Sequence, residues 1–353
     1  MAYTTIDDPT AYFQTKTYTG NGSTQDITFD GNSNLQPDFL WLKGRSLAEG
    51  HTLQNSVSGV TKHLHSNNTD AEVTDTGIVT AFNSNGFSLG DEGDVNGNSS
   101  TFVGWGWKAG TSFTNDASST GVGSIDSAGS INTDAGFSII SYTGTGSAGT
   151  VAHGLGSVVK MFFVKELSNA NSWEVYHVSQ GAGKNAQLNT TAAFESAGSS
   201  RWNSTAPTST TISIGTDSGV NRSSSNYIAY CFAEKQGYSK FSSYTGNGQN
   251  DNTFIYTGFK PAFIMIKKTD SSDGNDNWVI VDNKRLGYNV DNNPLYPNTS
   301  GAEVTSDYID FLSNGAKIRN GANEVGRSGV VYIYMAFAEN PFVASNFVPT
   351  TAR

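Results

Sequence analysis

The chain writes one short phrase three times: YTGNG at residues 18–22, YTGTG at 142–146 and YTGNG at 244–248. Self-similarity at a fixed spacing limits a fold more than composition does, because each copy must build the same local structure. Tyr142 and Tyr244 are 102 residues apart, as are Lys165 and Lys267. Around those lysines, VVKMFFVK (158–165) aligns with KPAFIMIK (260–267) and, earlier in the chain, with QPDFLWLK (36–43). Further on, YIAYCFAE (227–234) aligns with YIYMAFAE (332–339), 105 residues apart, and FVGWGW (102–107) takes that place in the first copy. The first and third copies also share AEVT (71–74 and 302–305) and SNG (84–86 and 313–315). Three units of about 100 residues follow, each the size of one sandwich domain.

These blocks read as strands. Side chains alternate across a strand, which puts Ile228, Tyr230 and Phe232 on one face and Ala229, Cys231 and Ala233 on the other. Val103, Trp105 and Trp107 oppose Gly104 and Gly106 in the same way, and Ile333, Met335 and Phe337 oppose Ala336 and Ala338. The bulky face is expected to be each unit's core, and the small face to admit another backbone, between units or between subunits. The YTG glycines mark a turn that needs φ > 0 or close backbone approach. The expected organisation is an N-terminal arm (1–16), unit 1 (17–110), a Gly/Ser/Thr-rich linker that is flexible, extended or clinging to the surface (111–135), unit 2 (136–237), unit 3 (238–340) and a C-terminal tail (341–353). Units 2 and 3 join directly through KQGYSKF (235–241) and are expected to form a rigid pair.

Composition narrows function by exclusion. A net charge of −10 and a pI near 4.9 remove the electrostatic basis for binding nucleic acid or an anionic membrane. No stretch approaches the length of a membrane span, and MAYTTIDDPT has neither a basic nor an apolar leader region, so synthesis in a cytosol is expected. The lone Cys231 permits no intrachain disulfide and reads as a small buried hydrophobe.

The search for chemistry nominates no catalytic, cofactor-binding or metal residue. His63 and His65 in KHLH share a strand face and read as a solvated pair rather than a metal site. His153 sits in a Gly-rich turn. The acidic loops GDEGDVNGN (90–98, with Asp91, Asp94 and Asn96) and TDSSDGNDNW (269–278, with Asp270, Asp273, Asn275 and Asp276) lack the full calcium-loop spacing and read as turns; calcium there stays open. Glu234 and Glu339 match, but the first copy has Ala109, so no acid pair for glycoside hydrolysis can be named. Lys43, Lys165 and Lys267 read as strand-end surface charges or ion-pair partners. Trp173 and Trp278, with His51 at the same place in the first copy, are the candidate glycan contacts, since aromatic faces suit sugar rings.

The ordered set YTGNGSTQ, LQPDFLWLK, GFSLG, STFVGWGWKAG, then GFSIISYTGTGSAGTVAHGLG, KMFFVK, YIAYCFAE, then YSKFSSYTGNG, GFKPAFIMIK, AFAENPF resembles a YTGxG-repeat family of structural proteins in marine tailed bacteriophages. The resemblance spans nearly the whole chain. It implies a virion protein, tail-fibre-like, with lectin-like or jelly-roll β-sandwich units and no catalytic residues to carry over. The expectation is therefore an all-β protein of three tandem β-sandwich repeats that is not an enzyme and takes no cofactor. Its expected role is a tail-fibre or receptor-binding component touching host surface glycan, with capsid decoration or a head fibre as the alternative and a polysaccharide-degrading enzyme behind both. Its expected partners are other virion proteins and further copies of itself, a trimer being favoured.

Overall fold

A computed structural model describes residues 3–270, 276–285, 289 and 293–344. The fold is all-β, and no helix among the described residues reaches seven residues. Each unit lays down four strands of one antiparallel sheet in the same spatial order. The leading strands are Phe13–Thr19, Phe137–Thr143 and Ser239–Thr245. Each pairs with a closing strand, Thr101–Trp107, Asn226–Ala233 or Val331–Pro341. Beside that runs a lysine strand, Phe39–Gly44, Val159–Glu166 or Phe259–Lys268, and then an outer strand, Thr52–Asn55, Glu174–His177 or Val279–Asp282.

The YTGxG phrase has one structural job in all three copies. Its tyrosine hydroxyl donates to a backbone carbonyl across the unit: Tyr18 to Val95, Tyr142 to Val220 and Tyr244 to Val325, at 2.8, 2.7 and 2.6 Å. Its first glycine is packed so closely that an added Cβ would lie 2.2 to 2.5 Å from a carbonyl oxygen of Gly97, Arg222 or Arg327. Its second glycine, Gly22, Gly146 or Gly248, has φ between 67° and 77°, which a side chain would strain.

The two faces of each large sheet are used in the reverse of the expected way. Gly104 and Gly106 face the unit's own smaller sheet, formed by residues 25–27, 86–89 and 79–83. There an added Cβ on Gly106 would lie 2.6 Å from the Phe29 ring. Ala229, Cys231 and Ala233 line the second unit's internal core, and Ala336 and Ala338 the third's. The bulky faces of all three sheets instead turn toward each other and build one shared core. Within it the ring of Phe39 lies 4.5 Å from Tyr230, Phe232 5.9 Å from Phe337, and Phe13 5.3 Å from Phe337, joining units 1 to 2, 2 to 3 and 3 to 1. The physical reason is size: small residues let a second sheet approach closely, while three converging sheets leave a central space that only large aromatics fill.

Three boundaries move accordingly. Residues 111–135 are not a free linker: Thr111–Asn115 and Ser127–Asn132 pair as two strands added to the second unit's leading edge, and Phe113 and Ile131 pack on its core. The arm at 1–16 ends in the first leading strand, which begins at Phe13; ahead of it, Tyr3 donates to Gly258 O and Thr4 to Gln236 O. The last closing strand reaches Pro341, and residues 345–353 of the expected tail lie outside the described residues.

Trp105 is fully buried where unit 1 meets unit 3. Trp105→Ala should lower stability by roughly 3–5 kcal/mol, measured by urea unfolding; an unchanged midpoint contradicts the shared core.

Candidate functional site

The chemistry-bearing residues of the repeat collect at the three joints between units. At each joint a loop of one unit, which includes the AEVT block in units 1 and 3, reaches the next unit two residues beyond its lysine. Glu72 N donates to Leu167 O, Phe194 N to Thr269 O and Glu303 N to Arg45 O, at 3.1, 3.2 and 2.8 Å. The contacts run from unit 1 to 2, 2 to 3 and 3 to 1, so the three units form a closed ring.

The matched lysines are not surface charges. Lys43, Lys165 and Lys267 are fully buried, because each lies on the core side of a joint and spends its protons on carbonyls. Lys165 donates to Thr69 O of unit 1 at 3.2 Å, and Lys267 to Thr191 O of unit 2 at 3.0 Å. Lys43 donates to Gly44 O and Leu47 O. Burial pushes their pKa values down from 10.5, to about 8, about 8 and about 7 in chain order.

Trp173 and Trp278 are fully buried as well and present no face to a sugar. Their indole N–H groups are joint contacts: Trp173 donates to His65 O at 2.8 Å and Trp278 to Gln187 O at 3.0 Å. In unit 1, His51 takes the same place. Its Nδ1 accepts from Trp41 Nε1, which leaves Nε2 to carry the proton and donate to Tyr296 O at 3.1 Å. The backbone N–H of His51, Trp173 and Trp278 goes to an asparagine in each case, Asn67, Asn189 and Asn298. A third set sits at the ends of the outer strands. Asn55 donates to the Tyr230 hydroxyl, His177 to Tyr334 O, and Asp282 accepts from Trp105 Nε1, at 3.0, 3.2 and 3.0 Å.

The joint between units 3 and 1 carries most of the charge. Arg45 grips Glu303 with two bonds of 2.9 and 3.0 Å, and Arg285 bonds both Glu303 and Asp282. Burial alone would raise the Glu303 pKa, but the two arginines hold it below its ordinary value. No connecting chain joins these two units in sequence, so the ion cluster stands where the other joints have a covalent link.

The remaining nominated residues stay apart and do structural work. Glu234 and Glu339 pair with Lys240 and Lys260. Asn96 is buried, donating to Ser23 O and Gly90 O and accepting from Asn21 N, so it is no calcium ligand. Asp276 forms a fully buried pair with Lys268, while Asp273 and Asn275 lie outside the described residues. His63 is buried rather than solvated, its ring 5.0 Å from that of His65, and burial pulls its pKa to about 4. His153 is fully buried in its turn. Burial pushes the Cys231 thiol up to about 12. Among the described residues no group of three or more His, Cys, Asp or Glu could hold a metal ion.

Fold and joints together define an all-β chain whose three units close around one core. The chain belongs to the family described as Domain of unknown function (DUF7483), matching it over residues 8–341. That span takes in all three units. A search of curated proteins finds no match.

Two outcomes follow from the joints. Glu303→Ala leaves Arg285 buried without its full set of partners and should cost roughly 3–5 kcal/mol, read as a lowered urea midpoint. The pH dependence carries a sign. A lysine whose pKa is lowered on folding binds fewer protons folded than unfolded, so stability rises with pH from about 7 toward 10.5. Buried Tyr18, Tyr142 and Tyr244 have raised pKa values and reverse the trend above their ordinary value of 10.0. Unfolding followed against pH should therefore peak near about pH 9–10; a maximum at neutral pH contradicts the lysine assignment.

Proposed function

We propose that this chain is a noncatalytic structural protein of a bacteriophage virion, seated on the particle where local symmetry is threefold, as a decoration or head protein. The observation that carries this reading is the ring of three equivalent joints. A single chain with that arrangement carries an approximate threefold axis, which suits a site presenting three near-identical partners. The resemblance of the ordered sequence blocks to structural proteins of tailed phages supports the virion setting. The net charge of −10 disfavours a role on packaged nucleic acid.

A tail-fibre or receptor-binding role is the second reading, and one feature favours it. Phe254 and Tyr256 are 41% and 55% exposed on one face of the strand Phe254–Tyr256. The equivalent positions in unit 1 are Asp26 and Thr28, so this aromatic face breaks the threefold likeness on one unit only. Exposed aromatic rings flanked by polar groups suit a sugar.

Cryo-electron microscopy of intact virions, with a label fused after Arg353, separates the two. Density on the capsid shell at positions of local threefold symmetry is the expected result. Density at the tail tip would transfer the role to receptor contact, and an unlabelled particle would contradict both.

A further inference from the structure

The three leading strands occupy the same place in their sheets, yet their outer edges are treated in three different ways. In unit 1, Gly20 N bonds Ser100 O and Lys108 N bonds Tyr12 O, so even-numbered residues of the leading strand face the closing strand. The N–H and C=O groups of Phe13, Thr15 and Thr17 therefore point outward, along the free edge of the sheet. In unit 2 the equivalent residues Phe137, Ile139 and Ser141 are paired with Asn132, Ser130 and Ala128 of the added strand. In unit 3 the edge is capped from within: Ser239 N bonds Lys235 O, and Phe241 N bonds the Glu234 carboxylate at 3.2 Å. Among the described residues, only the edge in unit 1 has neither cover.

Two further observations fall at that edge. A cleft of about 190 Å³ runs beside it, lined by Phe13, Gln14 and Thr15 on one side and Ala338, Glu339 and Asn340 on the other. Thr15 is 4% exposed, and its buried hydroxyl has no hydrogen-bond partner among the described residues, whereas the equivalent Ile139 and Phe241 need none. A buried unpaired hydroxyl is costly, and a Ser directly opposite on an added strand would pair with it.

The geometry points to strand addition: the Phe13–Thr17 edge of unit 1 accepts an extended segment of a separate polypeptide, antiparallel, with small uncharged side chains in the order Ala-Gly-Ser. The chemistry of the occupant is set by the segment that fills this place in unit 2. There Gly129 crosses so closely that an added Cβ would lie 1.9 Å from Ile139 O, and Ser130 lies opposite Ile139, the counterpart of Thr15. The occupant thus carries glycine opposite Lys16 and serine opposite Thr15. Backbone pairing supplies the attachment, and the glycine excludes bulkier sequences.

The test uses the full chain and a synthetic peptide with the sequence of residues 126–134, DSAGSINTD, at millimolar concentration. Backbone amide exchange, read by mass spectrometry with residue resolution, should slow by about tenfold or more at Phe13, Thr15 and Thr17. A peptide with Gly129→Val should give no slowing. Thr17→Pro removes an outward N–H without touching the ladder to the closing strand. It should abolish the peptide's effect and leave the unfolding midpoint unchanged. Unchanged exchange at the three amides, or equal slowing by the Val peptide, overturns the proposal. So does protection that appears without peptide and grows with protein concentration, which would make a second copy of the chain the occupant.

Discussion

Everything in this molecule follows from one packing decision: three sheets turn their bulky faces toward one another instead of toward their own partners. Each unit has a private core between its two sheets, small enough to need Gly104, Gly106 and the alanines opposite. The larger apolar surface, including Trp105, Tyr230 and Phe337, is buried only when all three units are present. At about 25 cal/mol for each Å² of apolar surface, a lone unit would forgo much of its stabilisation and expose a broad hydrophobic patch. The repeat is therefore a way of building one domain, not three beads.

Closure raises a directional problem that the joints solve. Apolar contact is indifferent to rotation, so an aromatic centre alone would not fix the three sheets in register. The ring N–H donors and the ends of the outer strands each supply one bond per joint at matching positions, Lys165 and Lys267 add one at two of the joints, and a missed bond leaves a buried polar group unpaired. The joint with no connecting chain is the one with Arg45, Glu303, Arg285 and Asp282. A body of this kind presents surfaces, edges and rims to its surroundings.

Much of this was legible in the sequence. The three copies, the strands, the two-faced closing strands and the turn role of YTGxG all follow from spacing and alternation, and AEVT marked the joint without revealing it. Alternation distinguishes two faces of a strand but does not say which one meets a distant sheet, and so the core was assigned to the wrong neighbours. Lys43, Lys165 and Lys267 looked like surface charges because sequence does not show the loop of the preceding unit that buries them. The 111–135 segment is poor in apolar residues because it covers an edge by backbone pairing, which composition does not report. Some equivalences are hidden by exchange. His51 does the work of a tryptophan; Asn221 in unit 2 donates to Ser147 O and Gly215 O as Asn96 does to Ser23 O and Gly90 O, and in unit 3 Asn252 fills that place from another loop, with Gly326 leaving room for it. An alignment by residue type sees mismatches where the structure conserves a bond.

The most direct test of the shared core is whether the three units unfold together. Equilibrium urea unfolding should be followed by tryptophan fluorescence and by amide exchange in all three leading strands. A single transition with coincident midpoints in every unit is the predicted result, and residues 136–237 alone should fail to give a cooperative transition. Separate midpoints for the three units, or a stable isolated second unit, would contradict a ring held by one core.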